Sequence, residues 1–135
     1  PDVEAAGTRL PRQDRWRWFD LVGDGRIEEA LATLDALFGE GESGVGLVIG
    51  LTTHFLRLGV VCERGPAALE AALPPHQRWL ARKLVAQSKR WRGAEIDAAL
   101  EGLLRLDRLL KASSISQEHL VEEWLLTLLA RKAAA

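Results

Sequence analysis

The sequence predicts an all-α fold, a single globular bundle of six or seven helices, from three observations. Leu and Ala dominate, Tyr is absent, and β-branched residues rarely alternate with polar ones, so β-strands have little support. Apolar residues recur at three- and four-residue steps along most of the chain, which is typical of amphipathic helices. Clusters of Gly, Pro and Ser interrupt this pattern and indicate short connecting loops.

The first two predicted helices flank a turn that contains two glycines. The first helix covers residues 16–22, and the second follows Gly25. The apolar face of the second helix contains Ile27, Ala30, Leu31, Leu34, Leu37 and Phe38. We expect Asp24 to cap the N-terminus of this helix and Gly39 to end it in the left-handed backbone conformation.

Residues 45–64 are expected to form the central helix. Before Arg57 this stretch is apolar on nearly every side, which indicates a helix that is surrounded by others. We expect Gly46 and Gly50 to let a neighbouring helix approach closely. The uncharged run over residues 43–56 is shorter than the roughly 18 residues that a membrane span needs, so no membrane segment is predicted.

Proline marks the two boundaries that follow the central helix. Pro66 suits the first turn of a short helix that ends near Leu73. The Pro-Pro pair after Leu73 forces a second break, and a basic helix is predicted over residues 78–92.

The last two predicted helices are long and rich in leucine. The first covers residues 93–110, and the second buries Trp124 among leucines. Between them, Ser114 or Ser116 is placed as the N-cap of the last helix. Gln117 is placed to complete a capping box with Ser114.

Composition excludes several classes of protein. The 18 Lys and Arg residues nearly balance 19 Asp and Glu residues, so no general attraction to nucleic acid is predicted. The hydrophobic content of 47% is too high for a disordered chain. Cys62 is the only cysteine, which rules out an intrachain disulfide and fits a cytoplasmic location; we expect a buried, unreactive thiol.

No catalytic, cofactor-binding or metal-binding pattern is present in the sequence. Residues 39–44 match Gly-x-Gly-x-x-Gly, but they follow a helix and carry two glutamates, so no nucleotide cofactor is predicted. His54, His76 and His119 have no second His or Cys at metal-ligand spacing, so no metal is predicted either. We expect His54 to be hydrogen-bonded near the core, and we expect no enzymatic activity of this fragment.

One local excess of positive charge lies in the predicted basic helix. Its cationic residues are Arg78, Arg82, Lys83, Lys89, Arg90 and Arg92. One interpretation is a surface that follows a phosphate backbone, with Trp79 or Trp91 stacking on bases. A second is a solvated helix face with Trp91 in the core, and a third is a contact with a protein partner. The net charge of −1 favours the solvated face.

Asp107 and Lys111 lie one turn apart on the next helix. A pair at this spacing contributes only about 0.2–0.5 kcal/mol when it is exposed. We interpret the two residues as a structural pair.

Two residue patterns and a few residues between them carry a family resemblance. The first pattern is Trp18-Phe19-Asp20-Leu21-Val22 with the turn Gly23-Asp24-Gly25, and the second is Asp107-Arg108-Leu109-Leu110-Lys111-Ala112-Ser113 with Trp124-Leu125-Leu126-Thr127-Leu128. The intervening residues are Lys83-Leu84, Gln87 and Arg90-Trp91. Together they resemble the C-terminal domain of the delta subunit of bacterial DNA polymerase III, part of the clamp loader.

The resemblance covers roughly residues 16–129 and implies a role in DNA replication. In this family the domain is a helical collar module that packs against equivalent domains of the other clamp-loader subunits. The ATPase-like modules and the contact with the sliding clamp lie in the family's N-terminal region, outside this chain. The resemblance therefore implies protein partners, and neither ATP hydrolysis nor clamp opening by this fragment.

The chain has no methionine, so we expect a piece of a longer protein. Residues 1–12 are predicted to form a linker or leading segment, residues 13–132 the helical domain, and residues 133–135 a tail.

Overall fold

A computed structural model of the chain describes residues 15–134, so the predicted linker lies outside the described residues. This part contains seven α-helices and no strand, which confirms the predicted all-α bundle. Helix α1 covers residues 15–23. The others are α2 (Ile27–Gly39), α3 (Gly44–Arg64), α4 (Pro66–Ala72), α5 (Ala81–Ser88), α6 (Gly93–Ala112) and α7 (Gln117–Ala134), with a 3₁₀ helix (Pro75–Leu80) before α5.

Helix α3 lies at the centre of the bundle and contacts α4, α5, α6 and α7. Its buried face presents Phe55, whose ring meets Trp91 and Trp124 edge to face at centroid distances of 5.0 and 6.0 Å. Both indole N–H groups donate to backbone carbonyls, Trp91 to Gly23 at 2.8 Å and Trp124 to Ala99 at 3.2 Å. The indole N–H groups of the aromatic core therefore both have hydrogen-bond partners.

Three helix starts are predicted correctly from local backbone chemistry. Pro66 occupies the first turn of α4, and α6 begins at Gly93. Ser116 caps α7, because its hydroxyl accepts the His119 N–H at 3.1 Å. Helix α7 continues to Ala134, beyond residue 132 where the helical domain was predicted to end.

The expected capping box at the start of α7 is wrong. The side-chain oxygen of Gln117 accepts the N–H of Gly44 at 2.8 Å, across 73 positions of sequence. This bond satisfies an N–H group at the start of α3, which has no partner inside its own helix. Gln117 therefore connects α7 to α3 instead of capping its own helix.

Both predicted ends of α2 are also wrong. Asp24 does not cap α2: its N–H donates to the Asp20 carbonyl at 2.8 Å and continues the last turn of α1. The residue before α2 is Arg26, which makes no side-chain capping bond. At the other end Gly39 is still helical, and the positive φ of 100° belongs to Gly41.

The glycines of α3 differ in their surroundings. Gly50 lies against the ring of Phe19 on α1 so closely that a Cβ atom would overlap the ring. At Gly46 a Cβ atom would meet the Ser43 hydroxyl of the same helix's N-cap at 3.1 Å, and the only atom near it from another helix would be the end of the flexible Arg15 side chain, at 4.0 Å. The predicted close approach is therefore correct at Gly50 and wrong at Gly46.

Cys62 is not buried, contrary to expectation. The residue is exposed, although its sulfur lies 3.7 Å from the carbonyl oxygens of Ser88 and Trp91. Partial burial of the sulfur raises the pKa of the thiol, which disfavours the reactive thiolate.

Candidate protein interaction surface

One face of α3 is only partly covered by the other described helices, with exposed residues in its middle and half-buried valines at its ends. Val45, Ile49, Thr53, Leu56 and Val60 follow one another at steps of three or four residues, so they form a single line along the helix. Ile49 is 62% exposed and Leu56 is 54% exposed. The expectation that α3 is surrounded was wrong, because its neighbours pack mainly on the opposite face. We call this line of five residues the α3 stripe.

By length and composition alone, α3 is long and apolar enough to cross a membrane, with a mean hydropathy of 1.8 over its most apolar window. The sequence prediction considered only an uncharged run and so missed this property. Core helices meet the same criterion, and the opposite face of α3 packs into the bundle core. We therefore treat α3 as a bundle helix with one open face.

A cleft of about 730 Å³ lies beside α3, between α1, the 3₁₀ helix and α5. Two exposed indole rings line it, Trp16 at 53% and Trp79 at 71% exposure. Phe19, Leu80 and Leu84 supply further apolar lining. We call this the tryptophan cleft; sequence analysis noticed Trp79 only as a stacking residue and did not predict a cleft.

The charged groups that line the tryptophan cleft are mostly cationic. Arg57 and Lys83 line the cleft together with one carboxylate, Asp20. Lys83 donates to Asp20 at 2.8 Å, whereas Arg57 donates to the neutral amide oxygen of Gln77 at 2.8 Å. The positive charge of Arg57 is therefore not balanced by a carboxylate in this contact, although the whole chain carries a net charge of −1.

A hydrogen-bonded network links α1, α3 and α5 at the base of the cleft. Asp20 accepts from the Gln87 amide at 3.1 Å, and the Gln87 carbonyl oxygen lies 2.7 Å from Nε2 of His54. An amide oxygen only accepts, so His54 donates from Nε2. Burial lowers the pKa of His54, outweighing the opposing effects of Gln87 and Asp20. The expectation of a hydrogen-bonded histidine near the core is confirmed.

Gly23 allows this network to form. A Cβ atom at this position would overlap the side chains of both Gln87 and His54. The carbonyl of Gly23 accepts the Trp91 indole N–H, and the ammonium of Lys132 lies 3.7 Å from the centre of the Trp91 ring. Several residues that carry the family resemblance therefore meet here as packing and hydrogen-bonding partners.

The predicted basic helix is not one helix. Arg78 lies on the 3₁₀ helix, Arg82 on α5, Lys89 and Arg90 in the turn after α5, and Arg92 immediately before α6. All five side chains are exposed, as a contact surface requires. They are distributed over three elements, so they form no continuous cationic stripe of the kind expected for a single helix.

Burial of Trp91 explains why the basic segment is broken. The chain leaves α5 after Ser88, and the Trp91 N–H bonds to the Ser88 carbonyl at 3.1 Å in a tight turn. This turn places the Trp91 ring in the core at 5% exposure and excludes it from nucleic-acid stacking.

Glu95 and Lys132 hold the other side of this turn. Burial alone would raise the pKa of Glu95, but the hydrogen bond from the Arg92 N–H and the charge of Lys132 lower it overall. Lys132 lies 3.6 Å from Glu95 and also donates to the Arg90 carbonyl at 2.8 Å. The C-terminal helix is thereby attached to the start of α6.

Asp107 and Lys111 form an ion pair at 3.0 Å, and both lie on α6. Their side chains are 30% and 66% exposed. The ion pair joins two turns of one helix, so its contribution to stability is local and small.

Residues 15–134 gather no group of three or more His, Cys, Asp or Glu side chains in an arrangement that suits a metal ion. His76 and His119 are exposed. Comparisons with protein-family models, with curated proteins and with solved structures find no match to this chain.

Proposed function

We propose that this chain is a non-catalytic assembly domain of the delta-subunit type, which packs against the other subunits of a bacterial clamp loader during DNA replication. The α3 stripe is the observation that carries the proposal. Monomeric proteins rarely leave a large contiguous apolar patch in contact with water, and such patches commonly mark protein interfaces. Ile49 and Leu56, both more than half exposed, would supply the apolar centre of that interface.

The family resemblance supports the same proposal. Its residues Asp20, Lys83, Gln87 and Trp91 lie far apart in sequence but are joined in the network between α1, α3 and α5. A network of this kind fixes how helices meet, which is the property that an assembly domain needs. Contact with the sliding clamp would belong to a region outside this chain, and the site of action would be the cytoplasm.

Size-exclusion chromatography with light scattering tests the proposal. The chain is mixed with purified delta-prime and gamma-type subunits of a bacterial clamp loader and compared with each component alone. We expect a complex that contains this chain. Separate elution at micromolar concentrations of all components would contradict the proposal.

A second candidate function is binding of single-stranded nucleic acid. It is favoured by Trp79, which is 71% exposed and lies beside the exposed Arg78. Base stacking on an exposed indole is worth about 1–3 kcal/mol, and contacts from arginine to phosphate weaken as salt increases.

Binding of a labelled oligothymidine, followed by fluorescence anisotropy over a salt series, tests this second function. If the chain binds, Trp79→Ala should lower its affinity about tenfold or more, and Lys111→Ala, in the exposed pair on α6, should leave it unchanged. Equal affinities of these two variants, or no binding at low salt, would exclude Trp79 as a nucleic-acid contact.

A further inference from the structure

We propose that the tryptophan cleft binds a short acidic peptide segment of a partner protein, with one aromatic side chain of that segment inserted between Trp16 and Trp79. This site adjoins the α3 stripe but shares no residue with it, and the proposal does not depend on the assembly role. Its volume of about 730 Å³ lies within the typical range of about 300–1,000 Å³ for ligand sites.

The walls of the cleft suit an aromatic anchor. Trp16 contacts Phe19 edge to face with ring centroids 6.1 Å apart, and Leu80 and Leu84 continue the apolar lining. Aromatic rings pack favourably against one another in such offset or edge-on arrangements. A single aromatic side chain that fills an apolar pocket commonly supplies most of the energy of a protein contact.

The walls are also held in position before any partner arrives. The Trp79 indole N–H donates to the His76 carbonyl at 3.0 Å, which fixes the ring relative to the 3₁₀ helix. Phe19 is held against Gly50, where no side chain separates it from α3. Preorganised walls reduce the entropy that binding would otherwise cost.

Charge determines the chemistry of the occupant. Arg57 and Lys83 line the cleft with one carboxylate, Asp20, which is paired with Lys83. The hydrogen-bond partner of Arg57 is the neutral amide of Gln77, so its charge has no acidic counterpart in that contact. Carboxylates that flank the anchor would complement this excess of positive charge.

The same contacts favour a peptide over a nucleic acid at this site. Lys83 is already paired with Asp20 at 2.8 Å, so it is only partly available to a phosphate. A nucleic-acid backbone needs a row of free cations, and the nearby arginines are divided among separate elements. A peptide needs one apolar pocket and one or two cations at its edge, which the cleft provides.

Fluorescence anisotropy with a labelled peptide, Asp-Asp-Gly-Phe-Gly-Asp-Asp, tests the proposal on the full chain. Two matched peptides replace either Phe by Ala or every Asp by Asn. Two protein variants, Trp79→Ala and Arg57→Gln, alter the anchor pocket and the charge. The control is Leu104→Ala, which truncates an apolar side chain of 55% exposure on α6, away from the cleft. Circular dichroism confirms that each variant is folded.

We expect the Asp-Phe peptide to bind. Either matched peptide should bind at least about tenfold more weakly. Trp79→Ala and Arg57→Gln should each weaken binding by a similar factor, and Leu104→Ala by less than about twofold. The proposal is overturned if the Asp-Phe peptide does not bind or if all three variants bind it equally. It is also overturned if oligothymidine binds more tightly than the peptide and displaces it, which would assign the cleft to nucleic acid. None of these results depends on whether the chain enters a clamp-loader complex.

Discussion

Among single residues, Gly23 and Gly50 have the least room for a side chain, and Gly23 is the one crowded by polar groups. It ends α1 where the His54 and Gln87 side chains meet, and its carbonyl is held by Trp91. Position 23 has no positive φ, so the constraint is space and not backbone conformation. The sequence indicated a turn here, but it could not reveal this packing, because the crowding groups come from α3 and α5.

We predict that Gly23→Ala destabilises the fold by about 1–3 kcal/mol, the usual cost of forcing extra atoms into a packed site. Urea denaturation would measure the change. Gly39→Ala is the matched control, because a Cβ at that helical position meets no atom within 4 Å. It should leave stability unchanged or raise it by up to about 1 kcal/mol. Equal losses in the two variants would show that position 23 is not crowded.

His54 makes stability depend on pH. Burial lowers the pKa of His54 below the ordinary value of about 6.5. The folded state therefore favours the neutral imidazole more than the unfolded chain does. Below about pH 6.5 the unfolded chain binds a proton at His54 more readily than the folded chain does. The contribution of His54 to the free energy of unfolding is therefore fully present above about pH 6.5 and is lost as pH falls.

The melting temperature should therefore fall between pH 7.5 and 5.5 by more in the unmodified protein than in His54→Gln. His119→Gln replaces an exposed histidine and should retain the full pH dependence. If His54→Gln lost as much stability on acidification as the unmodified protein, His54 would not be the group responsible.

At the scale of helices, local sequence signals were reliable at several helix starts but not at either end of α2, where neither Asp24 nor Gly39 has its predicted role. Pro66 and Gly93 mark helix starts through backbone chemistry that needs no distant partner. The prediction for Gln117 failed because its hydrogen-bond partner, Gly44, lies on another helix. The basic segment was misread as one helix because only the assembled core requires Trp91 to turn inward.

Helix α3 shows that the sequence alone also could not predict which helix face is exposed. Its lack of charge before Arg57 predicted burial on every side, yet residues such as Ile49 and Leu56 remain uncovered. An all-apolar helix has no polar face to indicate which side meets solvent, so exposure depends on how many other helices are available to cover it. The described bundle covers one side and leaves the α3 stripe open.

In the whole molecule, the apolar and cationic surfaces adjoin along α3. The α3 stripe passes through Thr53 and Leu56, and the neighbouring residues His54 and Arg57 line the tryptophan cleft. The nearly balanced composition of the chain predicted neither surface. Each surface forms because residues of similar polarity or charge lie side by side only in the folded structure. We expect this side of the molecule to make its protein contacts.

The dissociation constant of the complex between this chain and the clamp-loader subunits that we propose as its partners tests the central claim most directly. It should be measured for the unmodified chain, for the double variant Ile49→Asp with Leu56→Asp, and for the control Leu104→Asp, another exposed leucine. We predict that the double variant binds at least about a hundredfold more weakly, because two carboxylates would lie in the apolar centre of the interface. The control should stay within about threefold of the unmodified chain. Unchanged affinity of the double variant would contradict the assignment of the α3 stripe as the assembly surface.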